Sequence, residues 1–351
     1  MRKFHLMTVL ATLLISTSLL AQSAQPWSGR GIAVPQPANA GVQAVAMVGF
    51  TVSDMDRSVG FYTKVLDFKK VSDDELRGPA YEELVGVPGA RLRVVRLRLG
   101  DEYLQLTQYL GSTGRPVPPD SRSNDRWFQH VAIIVRDMDQ AYARLRRFKV
   151  QHASVAPQLL PKTIPQAAGI RAFYFKDPDG HPLEVLQFPP DKGDPKWHRS
   201  EGQLFLGIDH TAIVVENTGR SLAFYRDVLG FRVVGESMNF GAEQERLNNV
   251  PGAQLHITAL RASRGPGIEF LEYLAPAGGR AYPASVRPDD LVHWQTTVLV
   301  PDAESAAAVV RRGNFRVLSH DAVELPDSKL GFREGILVRD PDGHAVQLAE
   351  F

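Results

Sequence analysis

The chain has 351 residues, no cysteine, and 40 Lys and Arg against 39 Asp and Glu, a formal net charge of +1. Without cysteine there is no disulfide framework, thiolate nucleophile, zinc ribbon or iron–sulfur cluster, so a metal site must be built from His, Asp, Glu, Gln or backbone oxygen. With 44% hydrophobic and 23% charged residues and no basic block, the composition is that of a soluble globular protein, and no long-range field points to nucleic acid or anionic lipid.

In chain order, Met1-Arg2-Lys3, an apolar run from about Leu6 to Leu20 and small residues at Ala21 to Ala24 have the layout of a secretory signal peptide, 1–23, cleaved near Ser23. The apolar run is short for a membrane span and contains Ser and Thr. A Pro/Gly/Ala/Gln-rich leader, 24–43, follows without apolar period and reads as flexible. The expected address is periplasmic or secreted, with no membrane attachment after removal of the signal.

The remainder repeats itself. Arg57-Ser58 and Arg220-Ser221, Val87-Pro88-Gly89-Ala90 and Val250-Pro251-Gly252-Ala253, and Asp177-Pro178-Asp179-Gly180-His181 and Asp340-Pro341-Asp342-Gly343-His344 are each 163 positions apart. Three motifs at one offset mark a duplication, giving domains at 44–190 and 204–351. Each half divides again, since strand-like runs at 46–52, 131–135, 211–215 and 296–300 are each followed by a short amphipathic stretch. After the N-cap residues Asp54 and Asn217, Val59, Tyr62, Val65 and Leu66, and Leu222, Tyr225, Val228 and Leu229, share a helical face. Later strands alternate, with Arg91, Arg93, Arg96 and Arg98 on a solvated face. Pro/Gly-rich joints at 111–125 and 275–290 separate the modules, and 188–203 separates the halves. The expected architecture is α+β, a βαβββ module present four times and paired into two tandem domains.

This unit, with Ile208-Asp209-His210-Thr211 opening a strand, Phe224-Tyr225 and Val228-Leu229-Gly230-Phe231 after it, and Asp-Pro-Asp-Gly closing the next unit, resembles the vicinal oxygen chelate superfamily. That superfamily includes glyoxalase I, methylmalonyl-CoA epimerase, extradiol dioxygenases and antibiotic-binding proteins. The resemblance covers residues 45 to 351. It implies that two modules curl a mixed sheet around a cleft and that four positions, on the first and last strand of each module, ligate a divalent metal (Zn, Ni, Mn or Fe(II)). Carried onto this sequence half by half, the C-terminal set is His210, Glu269, Gln295 and Gln347, and the N-terminal set is Met47, Gln105, His130 and Glu184. The first set is favoured as the active one, because the thioether of Met47 suits such ions poorly.

Strand alternation places His130 with Ala132 and Ile134, and sets Glu184 apart from Leu183 and Val185. A polar group on such a face needs a partner. Glu269 or Glu184 would serve as the base that moves a proton next to a metal-bound carbonyl, the chemistry of a lyase, isomerase or epimerase on a small oxygen-rich metabolite. A metal-free protein that sequesters a small molecule is the alternative. The two-His, one-carboxylate set of a dioxygenase is absent from either half. His181 and His344, at the turns, are expected to be exposed. Tyr103, Trp127, Tyr273 and Trp294 are candidate cleft walls, and the chain is expected to be a monomer or a homodimer with a small-molecule substrate or ligand.

Overall fold

The structure is a computed structural model, and it describes residues 39–112, 114–198, 202–277, 279–319 and 321–351. The signal segment and all but the end of the leader lie outside these residues. Among the described residues no helix is long and apolar enough to cross a membrane.

Module one comprises β1 (Ala44–Thr51), α1 (Met55–Val65), β2 (Lys69–Arg77), α2 (Pro79–Val85), β3 (Arg91–Leu99) and β4 (Glu102–Tyr109). Module two has β5 (Gln129–Val135), α3 (Met138–Arg147), short β6 (Gln151–His152) and β7 (Gln158–Leu159), β8 (Arg171–Lys176) and β9 (Pro182–Gln187). Module three has β10 (Phe205–Val215), α4 (Thr218–Leu222, continued by a wider π turn over Ala223–Val228), β11 (Arg232–Asn239), α5 (Ala242–Asn248), β12 (Gln254–Arg261) and β13 (Gly267–Ala275). Module four has β14 (Trp294–Leu299), α6 (Ala303–Arg312), short β15 (Arg316–Val317) and β16 (Val323–Glu324), β17 (Glu334–Arg339) and β18 (Ala345–Glu350).

The first helix of every module starts the same way. Asp54, Asp137, Asn217 and Asp302 stand in extended backbone, and each side chain accepts a hydrogen bond from the N–H three residues on. That satisfies one of the helix's free donors, typically worth about 1 kcal/mol. In α1 the buried residues Met55, Ser58, Tyr62 and Val65 recur at helical spacing and form one face against the sheet.

The modules do not pair within the halves. One nine-stranded sheet runs β15-β17-β18-β14-β1-β4-β3-β2, with β16 added on β17, and so joins module four to module one. The other runs β11-β12-β13-β10-β5-β9-β8-β6, with β7 on β8, and joins module three to module two. The seams are antiparallel pairings of first strands, β1 with β14 and β10 with β5. The halves cohere on the opposite face. One core packs α1 and α3 residues such as Tyr62, Met138 and Leu145 over strands of both sheets, and a second does the same with Phe224, Tyr225, Ala306 and Val310 of the C-terminal half. Each half therefore owns a helix-side core, while each sheet belongs to both halves.

The Pro/Gly-rich joints that separate the modules clasp one another reciprocally. Arg115 pairs with buried Asp290 at 2.6 Å, and Arg280 pairs with buried Asp125 at 2.7 Å. Leu291 N–H donates to the Arg115 carbonyl, and Arg126 N–H donates to that of Arg280. The end of the leader is likewise held: Ala40 and Val42 are buried, and their N–H groups donate to the carbonyls of Val228 and Leu229.

His181 and His344 are buried, against expectation. In each Asp-Pro-Asp-Gly-His turn the first aspartate draws the histidine inward. Asp177 accepts from the His181 backbone N–H at 2.9 Å and pairs with its ring Nδ1 at 2.8 Å, and Asp340 does the same for His344 at 2.8 and 2.9 Å. The hydroxyls of Tyr62 and Tyr225 donate to these two aspartates at 3.1 and 3.2 Å. Burial alone would push both imidazoles down, but the adjoining aspartate outweighs it and holds each above its ordinary range.

Candidate metal centre

Four adjacent strands, in the order β9-β5-β10-β13, carry the candidate ligands on one face. In register, Glu184 pairs with Ala132 and Ala132 with His210. One step along, His130 pairs with Ala212 and Ala212 with Glu269. Two rows of polar–alanine–polar residues thus lie side by side, and the alanines leave a hollow that the four long side chains reach across.

The four side chains meet there. His130 Nε2 is 3.1 Å from Glu184 Oε2, His210 Nε2 is 3.7 Å from the same oxygen, and His210 Nε2 is 3.4 Å from Glu269 Oε2. His130, Glu184 and His210 are buried, and one ligand atom from each falls within 4.8 Å of the others. Ligands held at about 2.1 Å around one tetrahedral ion stand about 3.4 Å apart, so these separations are those of donors sharing an ion. The donor set, two imidazoles and two carboxylates, suits a borderline divalent cation. By both spacing and chemistry these residues fit a metal.

His210 is oriented from behind. Its Nδ1 meets Asp209 Oδ2 at 3.0 Å, which turns Nε2 toward the ligand group. Asp209 is its chain neighbour, and in a regular strand would point to the opposite face. The register shifts between Ile208 and His210 against β5, and this bulge admits the contact. Asp209 is itself fixed by Arg261, whose Nη2 donates at 2.8 Å and whose Nη1 donates to the Asp209 carbonyl at 2.7 Å, and by Trp197 Nε1 at 3.2 Å. Burial would raise the Asp209 carboxyl, but His210 and Arg261 prevail and hold it below the ordinary carboxylate range. Burial likewise acts to lower His210, and Glu269, Asp209 and Glu184 overcome it and hold the imidazole at about 9.

His130 has no such orienting group: its Nδ1 is buried without a hydrogen-bond partner among the described residues. Its ring lies 4.8 Å from that of Tyr174, whose phenol is pushed well up by burial and then by Glu184, so Tyr174 keeps its proton.

The other members of the two predicted sets, Met47, Gln105, Gln295 and Gln347, are elsewhere. Gln295 and Gln347 do not join His210; they sit across β14 and β18 from Met47 and Gln105 on β1 and β4. The register is the same, Met47–Thr297–Gln347 beside Gln105–Gly49–Gln295. The division into an N-terminal and a C-terminal ligand set is therefore corrected: the sheet seams run between the halves and bring the charged pairs of modules two and three together, leaving the neutral residues of modules one and four. Ala46 and Met47 occupy the places of Asp209 and His210. Apolar side chains including Leu92, Tyr109, Leu330 and Phe332 fill that face, and the remaining space is a cavity of about 30 Å³ beside Gln105, Gln295 and Gln347, room for about one water. This set has neither the charge nor the space for a cation with a substrate.

The charged group opens instead onto a cavity of about 780 Å³, lined also by Leu160, Ile170, Leu186, Trp197 and Leu247. Glu269 is the ligand-group member with the most access to it, its side chain 25% exposed against 5% for Glu184. Of the expected wall aromatics none lines this cavity; Trp127 and Trp294 line a separate one of about 260 Å³. Tyr174, Phe188 and Trp197 take that role. Asp209 lies in the strand motif that opens module three but strand alternation hides its role, and Arg261 and Trp197 carry no motif by which the sequence alone could have marked them.

The family described as Glyoxalase/Bleomycin resistance protein/Dioxygenase superfamily matches residues 44–185 and 207–348. A curated protein, 2-epi-5-epi-valiolone epimerase of Actinomyces sp, is 32% identical over 186 residues, 51% of this chain and 92% of that protein. Among solved structures, glyoxalase I from Zea mays is 16% identical with a TM-score of 0.58, over 88% of this chain and 92% of that one. A putative dioxygenase from Bacillus subtilis is 15% identical with a TM-score of 0.53, over 88% and 85%. At these identities the structural likeness concerns the fold alone.

Proposed function

The chain belongs to the Glyoxalase/Bleomycin resistance protein/Dioxygenase superfamily, and from that premise we propose that it is a divalent-metal-dependent epimerase or isomerase of a small hydroxy-carbonyl compound. The observation that carries this reading is the convergence of His130, Glu184, His210 and Glu269 at the floor of a single large cavity. The epimerase relative supports the reaction class.

His130, His210 and the two glutamates would hold the ion, which when bound polarises a carbonyl oxygen and so acidifies the neighbouring C–H. Glu269 faces the cavity and takes that proton. Epimerisation then needs a proton delivered to the opposite face of the same carbon. Glu184, on the other side of His210, is the second carboxyl group of the ligand group; in its carboxylic-acid form it would return a proton while Glu269 carries one away, and both would be reset by exchange with solvent. Leu160, Ile170 and Leu186 make one part of the cavity wall apolar, which strengthens the charge interactions at its floor.

The test uses metal analysis of the purified protein and its variants. His130→Ala and His210→Ala should each strip the same single ion, while Gln347→Ala should leave it in place. Retention of full metal content in both histidine variants would refute the assignment. Solvent deuterium should enter the epimerised carbon of a turned-over hydroxy-carbonyl substrate. Export through the segment 1–23 is part of the same proposal, and N-terminal sequencing of protein recovered from a secreting host tests it.

A further inference from the structure

The charged ligand group occupies one part of the 780 Å³ cavity. Another part is walled by the β12–β13 hairpin, the start of β11 and the segment after β9, and it is rich in cations: Arg232, Arg261, Arg264, Lys192 and Lys196 all line it. Two of them are already committed. Arg261 is bound to Asp209, and Lys196 pairs with Glu102 at 2.5 Å while stacking on Trp197. Among the described residues the Lys192 ammonium donates to the Pro165 carbonyl, at 3.0 Å, and has no carboxylate partner. The side chains of Arg232 and Arg264 have no hydrogen-bond or ion-pair partner among the described residues.

Placement is fixed by backbone. Arg232 is the register partner of Arg261 across β11 and β12. Arg264 sits on the hairpin, where its carbonyl accepts from Val45 N–H at 3.1 Å. The next residue, Gly265, has φ +85°, and a Cβ there would stand 2.0 Å from the Val45 carbonyl oxygen. The hairpin is thus pinned against β1, and Arg264 is carried on a rigid support. Besides Glu184, Asp209 and Glu269, two carboxylates line the cavity, Asp194 and Glu236. Asp194 already accepts from Lys196 N–H at 2.8 Å, and Glu236 lies 3.8 Å from His256. Neither neutralises the free guanidinium groups.

We propose that Arg232, Arg264 and Lys192 form a subsite for an anionic group, phosphate or carboxylate, on the substrate whose carbonyl end lies at the ligand group. This rests on the reading of that group as the reacting end. Guanidinium forks match both oxyanions with paired hydrogen bonds, and a cavity of this size takes a ligand larger than a bare small ketose. The subsite would hold the substrate by a group that does not react, an interaction that positions it without changing during proton transfer.

The experiment is calorimetric titration of chelator-treated protein with inorganic phosphate and with malonate at low ionic strength. One of the two should bind, more weakly as salt rises. Arg232→Gln with Arg264→Gln should weaken it by about tenfold or more for each arginine removed. Arg91→Gln with Arg98→Gln, the same charge change on the other sheet, should not. Tighter phosphate assigns a phosphoryl substituent, and tighter malonate a carboxylate. Anion affinity unchanged in the Arg232/Arg264 variant, or no binding of either anion to the wild type, overturns the subsite. Metal uptake is measured on the same samples: loss of metal binding in the wild type defeats the enzymatic reading without touching anion affinity, and unchanged metal uptake in the Arg232/Arg264 variant isolates the subsite's own effect.

Discussion

Replacing Asp209 by Asn tests whether the group behind His210 sets the metal site. Asn keeps the volume of Asp, so no cavity opens, but it removes the negative charge that Arg261 at 2.8 Å and His210 Nδ1 at 3.0 Å now share. The amide oxygen accepts from only one of them well, and Arg261, the permanent cation, is the stronger claimant. His210 is then free to rotate or to carry its proton on Nε2, the atom that faces Glu184 and Glu269. Loss of a carboxylate behind a ligating histidine costs about 10- to 100-fold in metal affinity, or about 1.4–2.8 kcal/mol. The assay is competition with a chromophoric chelator for Zn or Mn at fixed pH, with thermal unfolding of the chelated protein as a control for folding. Arg261→Gln leaves the Asp209–His210 contact intact, so its loss should be the smaller. An Asp209→Asn protein that folds and binds metal within twofold of wild type would refute the orienting role.

Other outcomes follow from features away from the site. Removing one arm of the clasp, by Arg115→Ala or Arg280→Ala, leaves buried Asp290 or Asp125 without its guanidinium and should lower the urea midpoint; an unchanged midpoint would show the clasp to be incidental. Gly207→Ala would place a Cβ 2.4 Å from Glu102 Oε2 and 2.8 Å from Trp197, overpacking worth about 1–3 kcal/mol, with a fall in metal affinity as Trp197 is pushed from Asp209. His181 and His344 are held above their ordinary range in the folded protein. Such groups stabilise fully below the unfolded value of about 6.5 and lose that contribution as pH rises through the folded value. Asp177 and Asp340, held low, contribute above the ordinary carboxylate range and lose it as pH falls through their folded values. The urea midpoint should therefore decline on the alkaline side, and His181→Gln with His344→Gln should flatten that decline; an identical slope in wild type and variant would count against these couples.

How far the sequence carried depended on the range of the interaction being read. The four modules were legible because each rests on local patterns: N-cap residues three before an N–H, apolar positions at helical spacing, and Asp-Pro-Asp-Gly turns that force a tight reversal. The seven His, Glu and Gln ligand positions were legible too, since strand alternation decides which side chains share a face. Pairing between modules was not. His210 with Gln347 and His210 with Glu184 are equally compatible with every local signal, because identical first-strand edges present the same backbone to either partner. Only the reciprocal Arg–Asp clasp and the β10–β5 seam distinguish them, and both join residues far apart in the chain. The turn histidines failed for a related reason: polarity and a turn position predict exposure, but Asp177 and Asp340 supply the buried partner that makes an interior imidazole tolerable.

The crossed pairing also explains why the duplication left one site charged and the other filled. The two halves are copies, yet the ligand groups draw on both of them, so each group is free to change independently of its copy. Module three kept Asp209-His210 where module one has Ala46-Met47, and module two kept His130 and Glu184 where module four has Gln295 and Gln347. All four charged residues fall in the two modules that share β5 and β10, and all four neutral ones in the two that share β1 and β14. Within a half, these differences look like scattered losses; across the seam they are concerted. A cation needs the complete set, and a partial set would bury uncompensated carboxylates beside one another. Converting Met47 alone to His would accordingly add a buried imidazole with no carboxylate near it, against the apolar fill of Leu330 and Phe332, and should lower the unfolding midpoint without adding a second equivalent of metal. A second bound ion in Met47→His would show that the neutral group retains a working site and would undo this account.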